Sequence, residues 1–531
     1  CSRYPFGLML ARCSTASLQG LEAQEVTVEV DLAPGLPGLH MVGLADAAVQ
    51  ESRERVRSAL RHSGLKVPLT RVIVNLAPAD LRKEGPGFDL PIALALLVAS
   101  GQLNPEATAG VWSCGELGLD GSLRPVRGVL ALALRALHQG ARALVVLTAN
   151  TKEAQLVDGL EVWPAQNLSG AVAMLQAGRL LLNPELPANP PPANPKPTPV
   201  NPNQAQASPA ELGDVHGQAH GRRALEIAAA GGHHLLLCGA PGSGKTMLAQ
   251  RLAGLLSPLN AKEALEITRV HSILGLLVEG GGLVQQRPFR SPHHSCSAAA
   301  LIGGGAIPRP GELSLAHHGV LFLDELAEFR RSVLDQLRQP LEEGAVWIHR
   351  SKRRTLFPCQ ITLVAACNPC PCGWHGDPHR PCQCGEGARR RYWAKLSGPL
   401  LDRLDLQVVM RRPSSHDLGA SFRPMDPAAK PETTAVVAKR VAQARQRMVG
   451  RNPKGCSNGQ LSSACLRKRL NLTAEALVLW EQALQQRQLS ARAGDRLLRV
   501  AQTISDLDGT DTISTSAIAE ALTFRSFDQL L

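Results

Sequence analysis

Short unbroken apolar runs, each closed by small or polar residues, punctuate the middle of the chain. The run within His233–Gly239 (HHLLLCG) leads into a glycine-rich stretch and then MLAQRLAGLL, which reads as strand, loop, helix. Gly319–Glu325 (GVLFLDE) and Ile361–Asn368 (ITLVAACN) are two more strand-like runs. An apolar run without alternation reads as a central strand of a parallel sheet, buried on both faces. Between them, AVWIHRSKRRTLF (345–357) has apolar ends around a polar tip, the pattern of a hairpin. The longest apolar stretches lie near Leu90–Ala99 and Val129–Leu134. Both are far short of the roughly 20 residues of a membrane span, so no membrane partner is expected.

Residues 184–210 interrupt this pattern. They hold 10 of the chain's 38 prolines, interleaved with Asn and Ala. Each proline fixes φ and removes a backbone donor, so an extended, semi-rigid linker is expected there. No internal repeat of about 20–50 residues is visible.

Composition sets the class. At 531 residues the chain suits two to four domains, and 44% hydrophobic with 19% charged residues is globular rather than disordered. Aromatic residues make up only 3%, which argues against a surface built mainly on base stacking. The net charge of +12 is unevenly spread. Residues 1–183 hold 16 basic and 16 acidic side chains; residues 184–410 hold 23 and 18, and residues 411–531 hold 18 and 11. The excess fits either a polyanion bound through its phosphates or a solvated basic surface. No charged-then-apolar signal segment opens the chain, so a cytoplasmic location is expected. A first residue of Cys1 rather than Met suggests that the true start is missing.

The glycine-rich stretch is Gly239, Ala240, Pro241, Gly242, Ser243, Gly244, Lys245, Thr246, the full G-x-x-x-x-G-K-[ST] pattern in its strand–loop–helix setting. Small residues let successive backbone N–H groups wrap phosphate oxygens, and the helix N-terminus adds its positive end. Lys245 is expected at the β/γ-phosphates of ATP and Thr246 on Mg²⁺. Asp324, at the end of the second run, would complete the Mg²⁺ shell, and Glu325 would orient or deprotonate the attacking water. Asn368 ends the third run, where a neutral amide could position water or the γ-phosphate; alone, an Asn before Pro is a turn residue.

Together with RPFRSPHHS (287–295), GGGAIPRPGELSLAHHGVLFLDE (303–325), LRQPLEEG (337–344), NPCPCG (368–373) and SGPLLDRLDL (397–406), these residues resemble the magnesium-chelatase-like branch of the AAA+ ATPases, specifically the bacterial ComM/YifB group. The resemblance covers nearly the whole chain outside the linker. It implies an α/β multidomain protein: a Lon-protease-like domain over residues 1–183, an α+β fold similar to ribosomal protein S5 domain 2; the linker; a P-loop AAA+ α/β core over 211–412; and a helical lid over 413–531. It also implies that Asn368 is the sensor-1 residue and Arg403 an arginine finger acting on nucleotide in the next subunit of a homo-hexameric ring. The segment SARAGDRLLRVAQTISDL (490–507) is similar to the lid, with Arg492 as sensor 2 and Arg496 as its rival. A spacing of four puts both on one helix face, so spacing does not separate them.

The hairpin tip carries Arg350, Lys352, Arg353 and Arg354 with no acid nearby. In ring ATPases similar to this chain such a hairpin projects into the pore, and six copies would offer about 24 positive charges to a phosphate backbone. Those contacts would hold single-stranded or branched DNA without reading its sequence. The plain alternative is a solvated loop. A second basic run, Arg389–Arg391, either continues the track or pairs with Glu386.

Of 13 cysteines, nine are scattered, and disulfides are not expected in a cytosolic ATPase. Cys370, Cys372, Cys382 and Cys384 are clustered, and four thiolates can close a tetrahedral, structural Zn²⁺ site. C-x-C is tighter than the usual C-x₂₋₄-C spacing; His375 or His379 could replace one ligand, or the cysteines could stay unligated.

In the front domain, LRKEGPGFDLPIALALL (81–97) and GELGLDGSLRPVRGVLALALRAL (115–137) carry the likeness to Lon. Lon-type proteases use a Ser–Lys dyad. Here Gly87 stands in the serine position and Leu130 in the lysine position, so the resemblance implies an inactive protease fold serving assembly or partner binding. The family implies ATP-driven branch migration of recombination intermediates in natural transformation. The alternatives are a chelatase motor subunit for porphyrin metallation, an ATP-dependent protease, and a non-proteolytic remodelling ATPase.

Overall fold

A computed structural model describes residues 10–178, 210–277, 281–305, 308–350, 353–396, 398–414, 419 and 431–525. Apart from residue 210, the expected linker lies outside the described residues, as do Lys352 and the side chains of Arg350 and Arg353. Contacts divide the chain into two compact units, Cys1–Val200 with Ala261–Gln285, and Asn201–Asn260 with Gln286–Leu531.

The first unit is built on a seven-stranded mixed sheet in the order Gly38–Val42, Arg71–Ala77, Glu22–Ala33, Ala11–Gln19, Val111–Ser113, Ala143–Leu147, Glu161–Ala165. In Ala11–Gln19, Ala11, Cys13, Thr15 and Ser17 face inward with the two-residue period of a half-buried strand. The helix Asp89–Ala99 lacks a polar face because it is enclosed on all sides. Its one acid, Asp89, accepts hydrogen bonds from Ser52, from Arg55 Nε at 2.6 Å and from the Leu117 amide at 3.1 Å, which offset its burial. Leu130, the residue at the expected lysine position, is fully buried in an apolar cluster.

The segment 261–285, which the sequence places within the ATPase core, belongs to the first unit by its contacts. In the helix Ala261–Leu274, Leu265 packs on the apolar cluster of Leu130, Ala133 and their neighbours. Ser272 Oγ donates to the buried Glu153 at 2.5 Å, the Ser272 carbonyl accepts from Gly128 N at 3.2 Å, and Arg269 donates to the Leu21 carbonyl at 3.1 Å. An amphipathic helix goes wherever its apolar stripe finds cover, and periodicity does not say which domain supplies it.

The second unit centres on five parallel strands in the order Phe289–Arg290, Val320–Leu323, Thr362–Cys367, Leu235–Gly239, Leu406–Met410. The three apolar runs seen in the sequence are its central strands, and Val320–Leu323, Thr362–Cys367 and Leu235–Gly239 are buried throughout. Ligands bind such sheets at the carboxyl ends of the strands. The C-terminal part is helical: Thr434–Arg451, Ser463–Arg469, Ala474–Gln486, Ala491–Leu507 and Thr515–Thr523. Ser462, Thr473, Ser490 and Ser514 each cap a helix N-terminus by accepting a backbone N–H, a local signal that fixes where the last four begin.

A buried polar network ties these helices to the sheet. Asp405 Oδ2 meets His233 Nδ1 at 2.9 Å, and Asp405 Oδ1 lies 3.5 Å from Arg496 Nε. His233 Nε2 is 2.8 Å from Thr503 Oγ1. Asn458 Nδ2 reaches both Thr503 and Asp506, and Arg451 clamps Asp506 with bonds of 2.5 and 2.7 Å. Among the described residues no helix is long and apolar enough to cross a membrane.

Candidate active site

The loop after the strand Leu235–Gly239 turns through Gly242 (φ 78°) and Gly244 (φ 87°), both left-handed conformations in which a side chain would be strained. Gly244 caps the helix Lys245–Leu255, aiming the first backbone N–H groups into the loop. Gln218 braces the loop from behind, its Nε2 donating to the Ser243 carbonyl at 3.2 Å and the Arg411 carbonyl at 2.6 Å.

Lys245 Nζ donates to the carbonyls of Gly239 (2.7 Å) and Ala240 (3.2 Å) and to Asn368 Oδ1 (3.2 Å). Burial lowers its pKa from the ordinary lysine value. Thr246 Oγ1 donates to Asp324 Oδ2 at 2.9 Å, while Asp324 Oδ1 accepts the Glu325 amide at 2.9 Å. A hydroxyl and a carboxylate side by side form the oxygen donor set that Mg²⁺ takes, so the residues present fit that ion. Three separate strands thus deliver Lys245 and Thr246, Asp324 and Glu325, and Asn368 to one place. Glu325 itself has φ 50°, an uncommon conformation for a side-chain-bearing residue.

The sequence does not reveal what holds Glu325. His294 Nδ1 lies 3.1 Å from Glu325 Oε2, with the His293 ring 4.0 Å away and Phe329 edge-on at 6.4 Å. The paired histidines of RPFRSPHHS were the available signal, but no spacing rule links them to a carboxylate 31 positions later. Arg403 is held by the Pro399 carbonyl (2.6 Å) and Glu342 (2.5 Å), the second a partner across 61 positions. The two lid arginines differ in surroundings: Arg496 is buried beside Asp405, and Arg492 is exposed.

The hairpin forms as Ala345–Arg350 paired antiparallel with Arg353–Pro358, in register from Ala345 opposite Pro358 to Arg350 opposite Arg353. Arg354 is exposed, and its guanidinium lies 3.7 Å from the centre of the Trp347 ring. The pair presents a cation on an aromatic face, which charge counting alone overlooks.

The four clustered cysteines converge, their sulfur atoms all within 4.8 Å of one another. Three separations are 3.3, 3.6 and 3.6 Å. Tetrahedral sulfur at about 2.3 Å from zinc gives S···S distances near 3.8 Å, so this set fits zinc with four thiolates. His375 and His379 are exposed and outside the cluster. The backbone N–H of Trp374, helped by that of Gln383, brings the Cys372 thiol down to about 6.

The family described as magnesium chelatase, subunit ChlI, matches residues 211–418, its C-terminal family residues 431–525, and the family described as subunit ChlI of Mg-chelatase residues 28–150. The chain is 43% identical to YifB of Salmonella typhimurium over 524 residues, 99% of this chain and 98% of that protein. It is 41% identical to competence protein ComM of Haemophilus influenzae over 527 residues, 99% of each. Lon protease 2 of Bacillus subtilis is 28% identical over 166 residues, 29% of each chain. The chain belongs to the ComM/YifB family of magnesium-chelatase-like AAA+ proteins.

Proposed function

We propose that this protein is an ATP-hydrolysing ring motor that moves DNA, migrating the branch point of recombination intermediates. The observation that carries the hydrolytic half is the meeting of Lys245, Thr246, Asp324, Glu325 and Asn368 at the ends of three parallel strands. Lys245 would exchange loop carbonyls for phosphate oxygens. Thr246 and Asp324 would hold Mg²⁺, which when bound supplies charge neutralisation at the β- and γ-phosphates. Glu325 would orient the attacking water and take its proton, with His294 setting the carboxylate's direction. Asn368 would fix the γ-phosphate or the water without adding charge. Arg403 would serve the neighbouring subunit's nucleotide once released from Glu342, in a homo-hexamer. With Arg496 engaged by Asp405, Arg492 is the lid residue proposed to reach nucleotide. Zinc at Cys370, Cys372, Cys382 and Cys384 is proposed as a closed structural site, to be checked by elemental analysis.

The DNA half is supported by the hairpin and by near full-length similarity to ComM, whose name records a role in competence. That similarity runs through the whole chain, front domain included, and favours this reading over a chelatase motor subunit. The front unit is proposed to serve assembly or partner binding. The test is ATP turnover with and without DNA: turnover should rise with DNA, more for branched than for linear duplex. No stimulation by any DNA would sink the motor reading. Neutralising Arg350, Lys352, Arg353 and Arg354 together should weaken DNA binding alike across sequences and flatten the log–log salt slope by about 3 to 4. Unchanged affinity and slope would return the tip to a solvated loop.

A further inference from the structure

We propose that the four-cysteine knot is a metal-held brace of the hydrolytic apparatus, in which zinc presses Gly373 against Pro241 of the phosphate loop and thereby fixes Asn368. This rests on both the zinc and the ATPase readings above.

The first support is what the segment lacks. Between Asn368 and the helix Glu386–Trp393 the chain forms no helix or strand. From residue 371 to residue 385 only Gly373 is buried, and the rest are half-buried or exposed. Hydrophobic packing therefore does not order this stretch. Its fixed points include the sulfur cluster, the bond from Trp393 Nε1 to the Pro369 carbonyl (3.1 Å), that from Arg389 to the Cys384 carbonyl (3.3 Å), and Trp374, whose ring lies under the guanidinium groups of Arg380 (4.4 Å) and Arg412 (5.5 Å).

The second support is where the one buried residue sits. Gly373 closes a turn on the Cys370 carbonyl at 2.9 Å with φ 83°. A Cβ there would lie 2.8 and 3.0 Å from Pro241 Cδ and Cγ and 4.0 Å from Asn368 Cγ. The turn inside the knot thus lies against the phosphate loop and beside the side chain whose Oδ1 accepts from Lys245. Cys370 is fully buried and only two residues beyond Asn368. The strand Thr362–Cys367 holds the Asn368 backbone, while releasing the sulfurs frees the turn that packs beside the Asn368 side chain. Lys245 and Thr246, held by the sheet and the helix Lys245–Leu255, keep their places. Gly373 and the four cysteines are accordingly positioning residues: they act through Asn368 and Pro241. A misplacement of about 1 Å at such a site can cost about 100-fold in rate.

The test uses the full chain and reads zinc content, ATP affinity and kcat separately. Wild type should carry about one zinc per chain. A Cys382→Ser, Cys384→Ser double variant should lose it, with kcat down about 10- to 100-fold and the Kd for a fluorescent ATP analogue changed less than about threefold. Gly373→Ala should keep its zinc, because all four thiolates remain, yet show a similar loss of kcat. Cys384→His should restore both zinc and kcat, since imidazole can replace one thiolate. Wild-type protein without zinc but with normal turnover would overturn the zinc reading and the brace together. Zinc lost with kcat unchanged would overturn the brace and leave zinc standing. ATP affinity falling in step with kcat would assign the knot to the general integrity of the fold, against the brace. Wild-type protein that binds zinc but never hydrolyses ATP would count against the ATPase reading itself.

Discussion

Glu325→Gln should bind ATP with near wild-type affinity and turn it over about 100- to 10,000-fold more slowly, the range that general-base catalysis supplies. The amide is nearly isosteric with the carboxylate and can still face His294, now 3.1 Å from Glu325 Oε2, so binding and local structure should persist. Lys245, Thr246 and Asp324 are untouched, and they are the groups that meet phosphate and Mg²⁺ in this reading. Single-turnover hydrolysis beside nucleotide titration separates the two effects. Near-normal turnover would remove Glu325 from its role; loss of binding and turnover together would make it structural.

The second large effect is on stability. Asp405→Asn should destabilise the second unit by about 3–5 kcal/mol, the usual cost of removing one partner from a buried pair. The side chains of Arg496 and Asp405 are 11% and 7% exposed, so the remaining guanidinium would sit desolvated beside a neutral amide. A ligand-free melting scan checks this, with a drop on the order of 10 °C expected. The pH dependence has a definite sign. Burial alone would raise the Asp405 pKa, but the hydrogen bond from His233 and the nearby charges of His233 and Arg496 outweigh it and bring it down to about 2. A carboxylate with a depressed folded pKa stabilises above its unfolded value of about 3.9, and that stability is lost as pH falls toward 2. The destabilisation of the variant relative to wild type should therefore be full at pH 6 and shrink below about pH 4. A pH-independent difference would mean that packing, not charge, is what Asp405 contributes.

The geometry of the glycine-rich loop and the strand ends, the half of the candidate site proposed to bind phosphate, is legible from the chain because its determinants are local. Gly242 and Gly244 are dictated by backbone conformation, Lys245 and Thr246 by the helix that begins there, and Asp324 and Asn368 by position at the ends of apolar strands. What escapes a reading of the sequence joins positions far apart with no periodic trace. His294 on Glu325, Glu342 on Arg403 and Gly373 on Pro241 are of this kind. The same holds for the helix Ala261–Leu274, whose apolar stripe marks it as a helix but does not say that the first unit covers it. Spacing left Arg492 and Arg496 equivalent; burial separates them, because Arg496 has an acid to meet and Arg492 is exposed. The cysteine cluster is visible in the spacing of the chain, yet its approach to the glycine-rich loop depends on a turn at Gly373 that leaves no trace in the sequence.

The most direct measurement is branch migration of a synthetic four-way junction by the purified full chain, with ATP, without it, and with Glu325→Gln. ATP-dependent conversion of the junction to duplex products, absent without nucleotide and nearly abolished in the variant, is the expected result. A junction that stays intact while the wild-type protein hydrolyses ATP would contradict the proposed assignment of this protein to branched DNA.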